Sequence, residues 1–416
     1  MATYSRRPFS RTDVGEGFYR TLLIVCLFFI TFLVYGSYHS FGVFLKPLAQ
    51  EFNVTRSVVS GAISVAWIAH GIFAVVAGIV SDRRGPRPVM LAAIALISLG
   101  YGLMMTSSSL WQLYLYVGVI LGTGMAPIWI VASAITTQWF SRRRGLSLGI
   151  VLAGPGMGQI VVTPIVRYLI DAYDFRIAYL IVGLAVFVIG IPLATVLRPA
   201  PREENSLERL ASLPESTPER SFGIRKAMAT GVFWLLFAIW LLVPWAIQLF
   251  RVHVFPYASD KGIEEAAASL IFVFLGAGIV AGRIGWGAFA DRFGAKRVYA
   301  LLLILLAAAL GITAVLEQLW AFYAMATFFG FTMGGNDPVF VKLLTDFFGV
   351  RYAGSLLGIL NSAFTVSAAA GPFVGGLVFD YAGSYSLGFL LAALSALGAV
   401  LLSLFLASPQ RRASTE

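Results

Sequence analysis

Charge is what this chain has least of. Only 12% of its 416 residues are charged and 59% are hydrophobic, against about 25% charged in an ordinary soluble domain. A water-facing globular surface is thereby excluded. Cysteine is almost missing too. With Cys26 alone, an intrachain disulfide and a CxxC or Cys₂His₂ metal site are ruled out, and only three histidines are present. The loops hold no ordered set of nucleophile, base and metal ligands, which argues against a membrane enzyme and gives no reason to expect a cofactor.

Apolar sequence fills the space. Stretches near the about 20 residues that carry a helix across a bilayer fall at 21–45, 57–80, 88–108, 111–136, 145–168, 177–197, 230–254, 266–289, 297–315, 319–343, 353–378 and 384–407. They predict an all-α integral membrane protein with twelve transmembrane helices in two six-helix bundles. The expected divisions are an N-terminal segment 1–20, a first bundle 21–197, a linker 198–229, a second bundle 230–407 and a tail 408–416. The linker is the one long polar stretch, with Pro199, Pro201, Pro214 and Pro218 among clustered Glu and Arg. The first span is too long for a signal-peptide core and lacks a small-residue cleavage site, so it is expected to stay attached.

Basic residues accumulate in cytoplasmic loops. With the N-terminus inside, the cytoplasmic segments hold clusters at Arg6 and Arg7, Arg83 to Arg87, Arg142 to Arg144, Arg198 to Lys226, Arg292 to Arg297, and Arg411 and Arg412. Only Lys46, Arg56, Arg167, Arg176, Arg251 and Lys261 then lie outside. Both termini are expected in the cytoplasm. The net charge of +10 answers the negative inner leaflet and needs no nucleic-acid partner.

The chain also contains itself twice, at an offset of about 209 residues. Gly78, Asp82, Arg83, Gly85 and Arg87 recur as Gly287, Asp291, Arg292, Gly294 and Lys296. Pro47, Ser60, Phe140, Arg142, Gly145, Gly149 and Asp171 recur, within a residue, as Pro256, Ser269, Phe348, Arg351, Gly354, Gly358 and Asp380. Two equal halves with matching charged loops suit a secondary transporter, because a site between halves can open to either side in turn. Asp82 can cap a neighbouring helix and pair with Arg142, Arg143 or Arg144, and Asp291 can pair with Arg351. With Arg83 and Arg292 these are the candidate gating residues. Gly154, Pro155, Gly156 and Gly158 in the fifth span, and Gly371, Pro372, Gly375 and Gly376 in the eleventh, serve either close packing or bending.

The segment Gly78-Ile79-Val80-Ser81-Asp82-Arg83-Arg84-Gly85-Pro86-Arg87, with its copy from Gly287 to Arg297, resembles the signature between spans two and three of the major facilitator superfamily. The resemblance covers the whole chain and implies two six-helix bundles around a central cavity, working by rocking-type alternating access. Trp139-Phe140-Ser141-Arg142-Arg143-Arg144-Gly145 through Gly149, then Ala153-Gly154-Pro155-Gly156, is similar to the fifth-span signature of monocarboxylate transporters. Gly36 to Pro47, with Phe41-Gly42-Val43-Phe44, is similar to that family's opening helix. Carriers of oxalate, formate or larger organic anions share parts of this pattern.

An intramembrane charge costs several kcal/mol and marks an interior site or a partner. Arg283 lies mid-span in Gly278-Ile279-Val280-Ala281-Gly282-Arg283-Ile284-Gly285, with no acid at i±4. Its fork of donors suits one carboxylate, so it is read as a substrate anchor, with a structural ion pair to Asp337 as the alternative. The resembling family carries its substrate-binding arginine in this span too. His39 can titrate near neutral pH and corresponds to Gln248 under the offset. The family places a lysine in this region for proton and substrate binding, so His39 is a departure. The aspartate that the family has one turn before the arginine is replaced by Ile279. His39 or Asp337 is then left to carry a coupling proton. Oxalate-carrying relatives have a lysine in the eleventh span, whereas 353–378 holds no Lys or Arg. One fixed buried cation is expected to select one carboxylate. Tyr38, Gln248, Asn361 and Phe364 complete the candidate substrate contacts with Arg283 and His39.

These features together predict a monomeric carrier of a small monocarboxylate such as lactate or pyruvate, proton-coupled, in a plasma membrane of the bacterial inner-membrane kind. An organic-anion exchanger or uniporter with the same site is the rival within the class. A membrane receptor for a small carboxylate is the rival outside it, and uptake into proteoliposomes separates the two.

Overall fold

A computed structural model describes residues 11–140, 144–198, 223–349 and 353–406. Among the described residues every regular element is helical. In chain order the spans are Arg11–His39 continued by Phe41–Glu51, then Arg56–Arg84, Pro86–Leu103, Leu110–Trp139, Arg144–Ala172 and Phe175–Thr195. The second half repeats the pattern with Gly231–Leu242 continued by Pro244–Asp260, then Ile271–Phe293, Ala295–Thr313, Leu319–Phe348, Ala353–Ala382 and Ser386–Leu404. Among the described residues eleven helices are long and apolar enough to cross a membrane. The tenth span, 30 residues long, is the exception because Asn336, Asp337, Lys342 and Asp346 interrupt its apolar run. A hydrophobic window rates a helix by its average apolarity, and this helix carries the exposed Asp337 and Asp346 beside the buried Asn336.

The first and seventh spans are broken, and in each the freed backbone groups find side-chain partners. The first bends at Ser40, whose hydroxyl donates to the Gly36 carbonyl at 2.8 Å and accepts from Thr163 Oγ1 at 2.8 Å. Pro244 interrupts the seventh because proline brings no N–H and crowds the preceding turn. Ser367 Oγ donates to the Leu241 carbonyl at 2.8 Å and accepts from Trp245 N–H at 2.9 Å. Ser395 Oγ donates to the Leu242 carbonyl at 2.8 Å and accepts from Trp245 Nε1 at 2.9 Å. A broken helix is tolerated at membrane depth where neighbours supply such bonds.

Glycines set which helices touch. A Cβ on Gly278 or Gly282 would meet the Thr327 or Phe331 carbonyl at 2.2 or 2.1 Å, and one on Gly330 or Gly334 would meet the Leu275 or Ile279 carbonyl at 2.2 or 2.4 Å. The eighth and tenth spans therefore pack backbone to backbone, as small residues allow. Gly36, Gly154 and Gly158 do the same for the first and fifth spans. The repeated loop glycines Gly85 and Gly294 have φ of 85° and 87°, where a side chain would be strained. Each turns a descending helix directly into the next.

Among the described residues the ion pairs between the halves gather on one side of the molecule. On the side of Asn53, Gly262 and Gly383, called here the far side, Lys46 Nζ lies 2.7 Å from Asp260 Oδ1. Arg56 Nη1 donates to Asp260 Oδ2 at 2.5 Å, and Arg167 pairs with Glu265. Asp380, from the second half, accepts the N–H groups of Arg56 and Ser57 at 3.2 and 3.1 Å, satisfying two orphan donors at the start of a helix in the first half. On the near side, by Gly85 and Gly294, the bonds Tyr19 to Val196, Trp139 to Arg198 and Lys296 to Leu404 each stay within one half. The repeated near-side glycines Gly78, Gly149, Gly287 and Gly358 have nothing within 4 Å of a built Cβ. Among the described residues no bond joins the halves on the near side, and the cleft between them is open there.

Candidate functional site

The glycine contact between the eighth and tenth spans decides what faces what. Arg283 follows Gly282, and Asp337 lies three residues beyond Gly334, so the same backbone approach brings this cation and this acid to one level. Arg283 Nη1 is buried without a hydrogen-bond acceptor, and its guanidinium carbon sits 5.6 Å from the centre of the Trp129 ring in the other bundle. Trp129 offers its π-face to the cation. Asp337 is surface-accessible at this depth and lies in the field of both Arg283 and Arg251. Among the described residues no ion pair joins it to either, so the structural pair is not the arrangement seen.

Arg251 corrects two expectations. It does not lie outside the membrane level, and Arg283 is not the one buried cation. The seventh span continues to Asp260, which puts Arg251 nine residues, about 14 Å, inside the helix end. Its Nη2 donates across the bundles to Gln159 Oε1 at 3.1 Å. Its Nε, and the Nε2 of the fully buried Gln159, have no partner. Arg251 also interacts electrostatically with Arg283, Tyr35 and Tyr38. Two guanidiniums and one carboxylate thus leave a single net positive charge when Asp337 is ionised. The glycines around Arg283 chiefly admit the tenth span.

His39 ends the first helical segment at the Ser40 joint. It is buried, with the Tyr35 and Tyr38 rings 5.8 and 5.5 Å away, and the fields of Arg251 and Arg283 reach it. Tyr38 stands edge-on to Trp67 at 6.0 Å. Phe364 belongs to an adjoining aromatic bridge, 5.7 Å from Trp67 in one half and 5.6 Å from Trp240 in the other. Gln248 is buried one turn before Arg251 with its Cβ against the Gly371 position. Asn361 is half-buried, and its carbonyl accepts from Thr365 Oγ1 at 2.9 Å. The structure therefore gathers Arg283, Asp337, Tyr38 and His39, and sets Phe364 beside them in the aromatic bridge.

Arg251, Gln159 and Trp67 were missed. The signal for Arg251 was available, since the apolar run flanking it continues through Tyr257. Gln159 carried none beyond being polar inside an apolar span. Of the gating candidates, Arg142, Arg143 and Arg351 lie outside the described residues, as does the side chain of Asp82. Arg83 and Arg292 are exposed. Asp291 accepts from Lys342 Nζ at 2.6 Å, a partner from the tenth span that sequence reading had not paired with it.

Two helical bundles, joined on one side and holding an acid and two cations at the level of their shared cleft, define an integral membrane protein built for transport across the bilayer. The model of the Major Facilitator Superfamily matches residues 27–286 and 254–416, and the chain belongs to that superfamily. It is 27% identical over 395 residues to monocarboxylate transporter 11 of Mus musculus, covering 92% of this chain and 86% of the relative. It is 23% identical over 363 residues to the oxalate:formate antiporter of Oxalobacter formigenes, covering 86% and 83%. A solved bacterial homologue of the human lysosomal transporter Spinster, inward-facing and unoccupied, matches with a TM-score of 0.70 at 14% identity, covering 94% of this chain and 95% of that one. That likeness concerns the fold.

Proposed function

We propose that this protein is a secondary active transporter of small monocarboxylates of the lactate and pyruvate kind, moving each anion together with a proton by alternating access. The observation that carries the reading is the Arg283 guanidinium, buried over Trp129 with an unpaired Nη1 and, opposite it, an acid that makes no ion pair among the described residues. A carboxylate can take both of its forward donors in charge-assisted bonds. The relatives named monocarboxylate transporters support the substrate class. On this reading the near side, with its positive loops, and both termini face the cytoplasm of a bacterial inner membrane. The structure would then be the inward-open state of a monomer that uses no cofactor other than the coupling proton.

Asp337 is the better placed proton carrier. It faces the accessible cleft, whereas His39 is packed between tyrosines at a helix joint. An entering carboxylate takes over the Arg283 guanidinium that Asp337 helps to balance, and a proton on Asp337 then restores the single net positive charge. Substrate and proton thus bind with positive linkage. The test is uptake of labelled lactate or pyruvate into proteoliposomes with and without an imposed pH gradient. Wild type is expected to accumulate substrate only with the gradient. Asp337→Asn should exchange substrate yet show no gradient-driven accumulation, while His39→Gln should keep its acid stimulation at a reduced rate. Loss of coupling in His39→Gln alone would move the proton to the imidazole.

The near-side tie gives a separate expectation. The Asp291–Lys342 pair is 71% and 35% exposed at its two side chains, so it is worth about 1 kcal/mol or less. Asp291→Asn should slow transport a few-fold and leave carboxylate affinity within about twofold, because the conformational balance shifts while the site is intact. Asp82→Asn, at the repeated position, is expected to behave alike. A normal transport rate in both variants would remove the gating role.

A further inference from the structure

We infer that Arg251 and Gln159 form a second anion subsite, so that the same cleft also takes short dicarboxylates, one carboxylate on Arg283 and the other on Arg251 with Gln159. This rests on the reading of Arg283 as a carboxylate ligand.

The donors are the first argument. Arg283 Nη1, Arg251 Nε and Gln159 Nε2 are all buried without acceptors, and Gln159 is 0% exposed. Leaving a buried donor unpaired is costly, and one carboxylate offers two oxygens to these three groups. Gln159 already gives its own oxygen to Arg251 Nη2 at 3.1 Å, which fixes its amide so that Nε2 and Arg251 Nε remain for another acceptor. The pair comes from opposite bundles. A ligand held there touches both halves, as a transported substrate must.

Charge is the second argument. The groups facing Asp337 are Arg283, Arg251, its neighbour Asn336 and Tyr299. With a proton on Asp337 the two guanidiniums present two positive charges, matching a dianion. The eleventh span lacks a cation, but the seventh supplies one at the same site. A fixed second cation discriminates between a mono- and a dianion by more than shape does, because an unpaired buried charge is penalised on whichever side it is left.

The experiment is competition binding to the purified full-length protein in lipid nanodiscs, with propionate and pyruvate as monocarboxylates and oxalate, malonate and succinate as a dicarboxylate length series. Wild type is expected to bind at least one dicarboxylate within about tenfold of pyruvate. Arg251→Gln should weaken that dicarboxylate at least tenfold and propionate less than threefold. Asp337→Asn, which keeps the shape and removes the negative charge, should raise the dicarboxylate-to-propionate affinity ratio at least tenfold, a gain that misfolding cannot produce. No saturable dicarboxylate binding in either wild type or Asp337→Asn overturns the subsite. So does an Arg251→Gln variant that loses both classes equally. If no monocarboxylate binds wild type either, the functional reading falls with it, whereas monocarboxylate binding alone condemns only the second subsite.

Discussion

Arg283→Gln is expected to abolish carboxylate binding and transport, and Arg283→Lys to lose most of both. A bidentate carboxylate on a desolvated guanidinium carries a large share of the affinity for so small an anion. Removing one partner of a buried charged pair costs about 2–5 kcal/mol, roughly 30- to several-thousand-fold in affinity. Lysine keeps the charge but offers a point donor without the planar fork. It also loses the stacking of a flat cation over Trp129, whose ring centre is 5.6 Å away. Both variants should fold, since Arg283 makes no ion pair among the described residues and Gly278 and Gly282, not the arginine, hold the eighth span against the tenth. The measurement is lactate or pyruvate affinity of the purified variants, with wild-type-like size-exclusion behaviour as the control. Affinity within twofold of wild type in Arg283→Gln would leave a superfamily transporter without this substrate site.

The spans and their pairing into halves were legible in the sequence because lipid imposes a crude, local rule on a helix. An apolar run of sufficient length is enough, and the repeated Gly-Asp-Arg-Gly loops mark where helices turn. Arg283 was legible for the same reason, as a charge in the middle of such a run. Contacts between distant spans follow a subtler code. Gly278 and Gly282 could be seen as small, but their partners Gly330 and Gly334 are set by rotation of two helices about their axes, which no local pattern states. The expected outer position of Arg251 failed because charge near the end of a hydrophobic stretch looks like a loop residue until the helix is known to continue to Asp260. Gln159 could not be singled out, since its importance lies in having Arg251 opposite it, 92 residues away in sequence. What the sequence lacked was therefore depth and facing direction, and those two quantities changed the charge of the site.

Removing the far-side tie should destabilise the state that is open to the near side. Asp260 receives both Lys46 and Arg56 from the other bundle, and Asp380 accepts the first two backbone N–H groups of the second span. Arg56 adds a cation–π contact, its guanidinium carbon 3.8 Å from the Phe379 ring centre. These bonds exist only while the far side is closed. Their loss destabilises that state without touching the substrate residues. A helix cap is worth about 1 kcal/mol, and the partly exposed ion pairs together contribute about another 1 kcal/mol after solvent screening. The double variant Asp260→Asn/Asp380→Ala should therefore move the balance toward the state open to the far side by about 2 kcal/mol, roughly 30-fold. A cysteine at Gly78, where a built Cβ meets nothing within 4 Å, reports near-side opening once the buried Cys26 is replaced by alanine. Its labelling by an impermeant maleimide added from the near side should slow at least threefold in the double variant, and saturating lactate or pyruvate should not restore the wild-type rate. Labelling at the unaltered rate would mean that Asp260 and Asp380 do not hold the far side shut, and that packing around Gly156, Gly276 and Gly376 closes it without them.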